Sequence, residues 1–279
     1  MPERFVVSLF LATLLTAAAH AAGTGALPST AACSARSNPA ATTALLELFT
    51  AEGCPHCPQA ETWLAQLPKK GFGLASVVPL ALHVDYWNEH GLVDPFAQEA
   101  FTQRQYRYAL LNGTIVVYTP QFVLNGREYF GWQHGTFAED LARLNAMPAR
   151  AEIALRLERR GTTLRIEVEA AVPDPVRRPR TGLLLALYEN RLANRITAGE
   201  NRGRTLHHDY VVRRLLGPFP LGESEARAHF EQEIALDPAW KAADLGVAAF
   251  VQERTSGEVL QAVARPLCHC GCARAPTLV

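Results

Sequence analysis

Apolar and polar positions follow two rhythms along the chain. In the first half, short apolar runs alternate with stretches of helical spacing. ALLELF (44–49) is an apolar run holding one acid, which suits a strand buried on both faces. PQAETWLAQL (58–67) sets Ala60, Leu64 and Leu67 on one helical face. Pro58 falls in its first turn, where a missing N–H costs nothing. SVVPLALHVDYW (76–87) predicts a second buried strand. DPFAQEAFTQRQYRYALLNG (94–113) predicts a helix with Asp94 as N-cap, Pro95 at the first position and Asn112-Gly113 as the stop. PQFVLNGREYFGW (120–132) predicts two short strands around Asn125-Gly126, a dipeptide that accepts positive φ at both turn positions. HGTFAEDLARLNAM (134–147) predicts a closing helix.

After MPAR (147–150) the period changes to two. AEIALRLERRGTTLRIEVEAAV (151–172) predicts two strands joined near Gly161. TGLLLALYE, LHHDYVVRRLL, ARAHFEQEIAL, LGVAAFVQE and EVLQAVARPL follow at fairly even spacing. The element order predicts an α/β thioredoxin-like domain (βαβαββα) over 42–147, then an all-β immunoglobulin-like sandwich over 148–267. The Cys–Trp–Cys signature of a true immunoglobulin domain is missing.

The N-terminus changes how the rest is read. Arg4 precedes an uncharged apolar run (5–19) and then small residues, the layout of a secretory signal peptide over 1–22. That run is shorter than the roughly 20 residues a membrane span needs, and no later stretch is long and apolar enough to cross a bilayer. The expectation is an exported protein, periplasmic or secreted, without a stable span after cleavage. Residues 23–41, rich in Ala, Ser, Thr, Gly and Pro, predict a flexible lead-in. Formal net charge is zero, so no basic field points to nucleic acid.

Export places six cysteines (Cys33, Cys54, Cys57, Cys268, Cys270 and Cys272) where thiols tend to pair. Cys54-Pro55-His56-Cys57 stands at a predicted strand end and opens a predicted helix. There the unpaired N–H groups and the helix dipole favour a Cys54 thiolate. Cys57 lies close enough to close an internal disulfide and to resolve a mixed one. His56 is a candidate for a positive charge or donor beside the thiolate. Glu47 is a candidate carboxyl beneath the dithiol that relays protons. Thr119-Pro120 falls in the loop before the hairpin, where a cis proline would face the sulfurs.

LLELFTAEGCPHCP, HVDYW, YTPQFVLNG and GENRGRTLHHDYVV together resemble a bacterial family of secreted thioredoxin-like proteins catalogued as a domain of unknown function. The resemblance implies Cys54 and Cys57 as the dithiol and Thr119-Pro120 as its cis-proline loop. The Cys-Pro-His-Cys motif is also similar to the active site of periplasmic dithiol oxidases. The function expected is a thiol–disulfide oxidoreductase that acts on protein thiols or disulfides, needs a redox recycling partner and uses no cofactor. The alternative is an exported binder of a soft metal such as copper, or of a partner, with a non-catalytic dithiol. A structural disulfide or half a zinc site also fits Cys54 and Cys57.

Other polar residues read more simply. The aromatics of HVDYW pack into the core, with His83 or Asp85 at the dithiol rim as the rival reading. His207 and His208 point apart on a strand, which argues against a metal site there. GENRGRT (199–205) is a polar loop positioned to pack on the first half. The tail (268–279) opens with CHCGC, which offers soft ligands for copper(I) or zinc. The same cysteines can pair, one with Cys33 and two with each other.

Overall fold

The computed structural model describes residues 31–222 and 227–268. Its first half runs β1 (Ala31–Arg36), β2 (Ala44–Thr50), α1 (Cys57–Ala65), β3 (Val77–His83), α2 (Glu99–Leu111), β4 (Gln121–Leu124), β5 (Arg127–Glu128), α3 (Gly131–His134) and α4 (Phe137–Asn145). The second half runs β6 (Glu152–Arg160), β7 (Thr163–Ala171), β8 (Thr181–Glu189), β9 (Leu192–Arg195), β10 (Thr205–His208), β11 (Val211–Pro220), β12 (Arg227–Ala235), β13 (Leu245–Glu253) and β14 (Val259–Pro266).

The expected thioredoxin-like α/β domain followed by an immunoglobulin-like sandwich is not the architecture that forms. The described chain is mostly β, and strands of both halves share one eight-stranded sheet of order β14-β13-β8-β11-β3-β2-β4-β5. The junction is a parallel contact in which Val211 of β11 pairs with Ala81 of β3. A self-contained first-half unit would leave β3 as an edge; here it is interior. The other sheets are a four-stranded one of order β1-β6-β7-β12 and a ribbon of β9 and β10. The expected flexible lead-in contributes β1, paired antiparallel with β6 from Ala31↔Arg159 to Arg36↔Ala154.

Burial explains the layering. Every residue of β2, β3 and β8 is buried, so the sheet they belong to must be covered on both faces. On one face Leu45, Phe49, Leu80, Leu184 and Phe250 pack with Phe101 and Tyr108 of α2, which therefore spans the junction. The other face is shared. Leu46 and Leu48 pack with Leu64 of α1 and Phe137 of α4. Leu185 and Val247 pack with Leu155 and Ile166 of the four-stranded sheet. In β12 half-buried and exposed residues alternate, as befits an outer strand.

The tight turns form where the sequence predicts them. Asn125 and Gly126 both take positive φ (48° and 85°) and join β4 to β5 in a two-residue turn. Gly161, at φ 59°, turns β6 into β7. The expected N-cap Asp94 is a correction: α2 begins at Glu99 behind Gln98. Asp94 is buried and holds other partners, described below.

Candidate functional site

The carboxyl ends of the parallel strands β2 and β3 meet the start of α1, and the candidate site is built there. The register sets Thr50 beside His83. Beyond β2 the chain turns through bonds from Cys54 N–H to Ala51 O (3.1 Å) and from Cys57 N–H to Cys54 O (3.4 Å). Cys54 and Cys57 are joined as a disulfide with their Cα atoms 5.4 Å apart. Pro58 sits in the first turn of α1, and His56 is its N-cap without a side-chain capping bond. Pro55 and His56 are exposed. The thiol chemistry expected of this motif meets covered sulfurs: Cys54 and Cys57 are each 0% exposed. The pair lies directly under a surface turn.

Two groups of residues flank this turn. A Cβ at Gly53 would lie 3.5 Å from the Trp87 side chain. The Trp87 indole in turn donates to Thr119 Oγ1 at 2.7 Å. Thr119-Pro120 is cis, as expected. The other group comes from the second half. Asn201 Nδ2 donates to the carbonyls of Glu52 (2.8 Å) and Cys54 (2.9 Å), and Arg204 donates to Asn201 Oδ1 (2.7 Å). The polar loop 199–204 thus packs on the dithiol turn, as the sequence suggested.

Beneath the turn lies a buried polar cluster. Glu61 stands one turn after Cys57 on the same face of α1. Thr50 Oγ1 donates to Glu61 Oε1 at 2.6 Å. The His208 ring donates from Nδ1 to Glu61 Oε2 and from Nε2 to Glu52 Oε1 (3.1 Å). Burial alone would lower the His208 pKa, but these two carboxylates push it up to about 10. Burial likewise raises the Glu61 pKa, yet the bond and charge of His208 outweigh it and hold the carboxyl below its usual range. His83 Nδ1 bonds Asp94 Oδ2 at 2.7 Å, and the same oxygen accepts from Glu52 N–H at 2.8 Å. Burial raises the Asp94 pKa, but His83 and the backbone donors hold it below the usual range.

Sequence reasoning missed Glu52, Glu61 and Asn201. The i, i+4 spacing of Cys57 and Glu61 was a readable signal; the long-range partners of the other two were not. His207 and His208 do point apart, exposed and buried respectively.

Glu47 is a further correction. It accepts from Arg104 Nε at 2.6 Å and Nη2 at 3.0 Å, and from the Tyr108 hydroxyl. Both oxygens are held by α2, so Glu47 is an anchor for that helix rather than a free proton relay.

The free cysteines among the described residues are Cys33 and Cys268. Cys33 Sγ donates to the Pro266 carbonyl at 3.7 Å, and burial, then neighbouring Cys268, raises the Cys33 pKa. Both thiols are free, and oxidation is expected to join Cys33 to Cys268. Incubation with oxidised glutathione should yield a Cys33–Cys268 peptide in a non-reducing digest; Cys33 joined only to other cysteines would refute this. Cys270, Cys272 and His269 lie outside the described residues.

The fold and site define a β-rich protein with a covered Cys-x-x-Cys disulfide at a helix start. The chain belongs to the family described as protein of unknown function (DUF1223), whose profile matches residues 45–252. No curated protein matches it. Two solved structures share the fold. One, a structural-genomics protein from Agrobacterium tumefaciens, is 23% identical with a TM-score of 0.54, covering 81% of this chain and 94% of that one. The other, HBP35 of Porphyromonas gingivalis, is 17% identical with a TM-score of 0.61, covering 86% of this chain and 79% of that one.

Proposed function

We propose that this chain is an exported thiol–disulfide oxidoreductase acting on protein thiols or disulfides through Cys54 and Cys57, covered at rest by the 199–204 loop. The observation that carries this is the disulfide closed across the turn that opens α1, directly beneath exposed Pro55 and His56. A substrate thiolate attacks Cys54 Sγ, the Cys54–Cys57 bond breaks, and its electron pair leaves on Cys57, which takes up a proton. A second substrate thiolate then attacks the mixed disulfide and releases Cys54 as the thiolate, so the substrate is oxidised and the protein reduced. The reverse sequence reduces a substrate disulfide. A redox partner carrying its own dithiol or disulfide restores the starting state.

Two features support the reading. The segment leading into Thr119-Pro120 is apolar and exposed, with Ile115 at 82% and Val116 at 61%, which suits an extended polypeptide substrate. The motif is also similar to that of periplasmic dithiol oxidases. Export rests on the N-terminal pattern of Arg4 and the apolar run (5–19).

A second reading is a structural staple, and complete burial of both cysteines favours it. Turnover decides between them. The wild type should reduce insulin in the presence of dithiothreitol, or oxidise a dithiol peptide. Asn201→Ala should speed reduction of the folded protein's disulfide by about tenfold, because two hydrogen bonds worth about 0.5–1.5 kcal/mol each then no longer hold the cover. A staple shows no turnover, with or without Asn201→Ala.

A further inference from the structure

We propose that Glu61, His83 and His208 form a binding site for one divalent transition-metal ion, with zinc(II) the best chemical match. One ligand atom from each residue lies within 4.8 Å of the other two, and all three residues are buried. The residues come from α1, β3 and β10, so the site exists only when both halves of the chain are assembled.

The hydrogen bonds around the cluster distinguish it from ordinary core histidines. His83 commits Nδ1 to Asp94, which leaves the lone pair of the neutral ring on Nε2. That Nε2 is buried without a hydrogen-bond partner. An orphaned polar atom of this kind is costly unless a ligand satisfies it. His208 also carries a carboxylate on the nitrogen away from the site, Nε2 bonding Glu52, while its Nδ1 holds Glu61 and is freed for an ion when the proton between them leaves. Metal-binding histidines characteristically carry a carboxylate on the nitrogen that points away from the ion. Here both histidines do. Glu61 is itself steadied by Thr50.

Two imidazoles and one carboxylate make a borderline donor set that suits zinc(II). The ion replaces the proton shared by His208 Nδ1 and Glu61, so one proton is released on binding. Bonds of about 2.0–2.1 Å require the ligand atoms to draw in to roughly 3.3 Å, a movement within side-chain reach. Three protein ligands leave one position for a water or the second Glu61 oxygen. The site stands or falls independently of any catalytic role for the dithiol.

The test uses the full chain with Cys268, Cys270 and Cys272 changed to serine, so that tail thiols bind nothing. After chelation and dialysis, zinc(II) is titrated with a competing indicator, and cobalt(II) is added separately as a spectroscopic probe. The expected result is one equivalent of zinc(II) per chain and a rise in melting temperature. Asp94→Asn should weaken binding by about 10–100-fold, and His83→Gln by more. Cobalt(II) should give the visible bands of a four- or five-coordinate ion without thiolate charge transfer. That spectrum decides the matter if the variants do not fold. Less than half an equivalent of zinc(II), an unchanged affinity in folded His83→Gln, or a six-coordinate or thiolate cobalt(II) spectrum would overturn the proposal.

Discussion

Arg104→Met is expected to lower the unfolding free energy by about 3–5 kcal/mol, because it leaves the Glu47 carboxylate buried and uncompensated. The guanidinium grips Glu47, donates to Gln252 Oε1 of β13 at 3.2 Å, and lies 5.3 Å from the Phe250 ring centre. It thus ties α2 to strands from both halves of the chain. The double variant Glu47→Leu with Arg104→Met should recover most of the loss, since replacing both charges removes the orphan. Urea unfolding curves check both numbers. A cost below about 1 kcal/mol, or no recovery in the double variant, would show that buried charge is not the cause. Glu47→Gln should leave the pH dependence of thiol exchange unchanged, which separates an anchor from a proton relay.

Cys54→Ser should reduce thiol–disulfide turnover to background, while Cys57→Ser should accumulate a mixed disulfide with substrate that a reductant releases. The asymmetry follows from geometry. Both sulfurs are buried, but Cys54 lies in the turn before the helix, next to exposed Pro55 and His56, while Cys57 is already the first helical residue. Mass analysis of non-reduced samples reads the outcome. Equal trapping by both variants, or by neither, would remove the nucleophile-and-resolver assignment.

What the sequence made legible was local. Asn125-Gly126 specified its turn because few other pairs tolerate two positive φ angles. Pro58 marked the first turn of α1, and the alternation in 151–172 marked β6 and β7. Edge pairing was not legible. A run such as ALLELF reports that both faces are buried but not what lies on either flank, so the pairing of β11 with β3 was invisible. The same gap separated two domains on paper that share one sheet in space. The lead-in has the composition of a linker, small and polar, yet β1 needs only to edge a sheet on β6.

The site was half legible for the same reason. Cys54 and Cys57 announce themselves by spacing. Asn201 and His208 reach the site from more than 140 positions further along the chain, and no local pattern encodes that. Asp94 shows the opposite error. Followed by a proline, it has the look of a helix cap, yet its carboxylate is drawn inward by His83 and the Glu52 amide.

One titration reaches the heart of the account: the folded wild-type protein equilibrated across glutathione or dithiothreitol redox buffers, acid-quenched, alkylated and weighed, with far-UV and near-UV spectra taken at each point. The Cys54–Cys57 pair should open and close reversibly with native spectra and a midpoint between about −270 and −120 mV, the span of dithiol oxidoreductases. A pair that stays closed below about −300 mV, or opens only as the spectra collapse, would contradict the account.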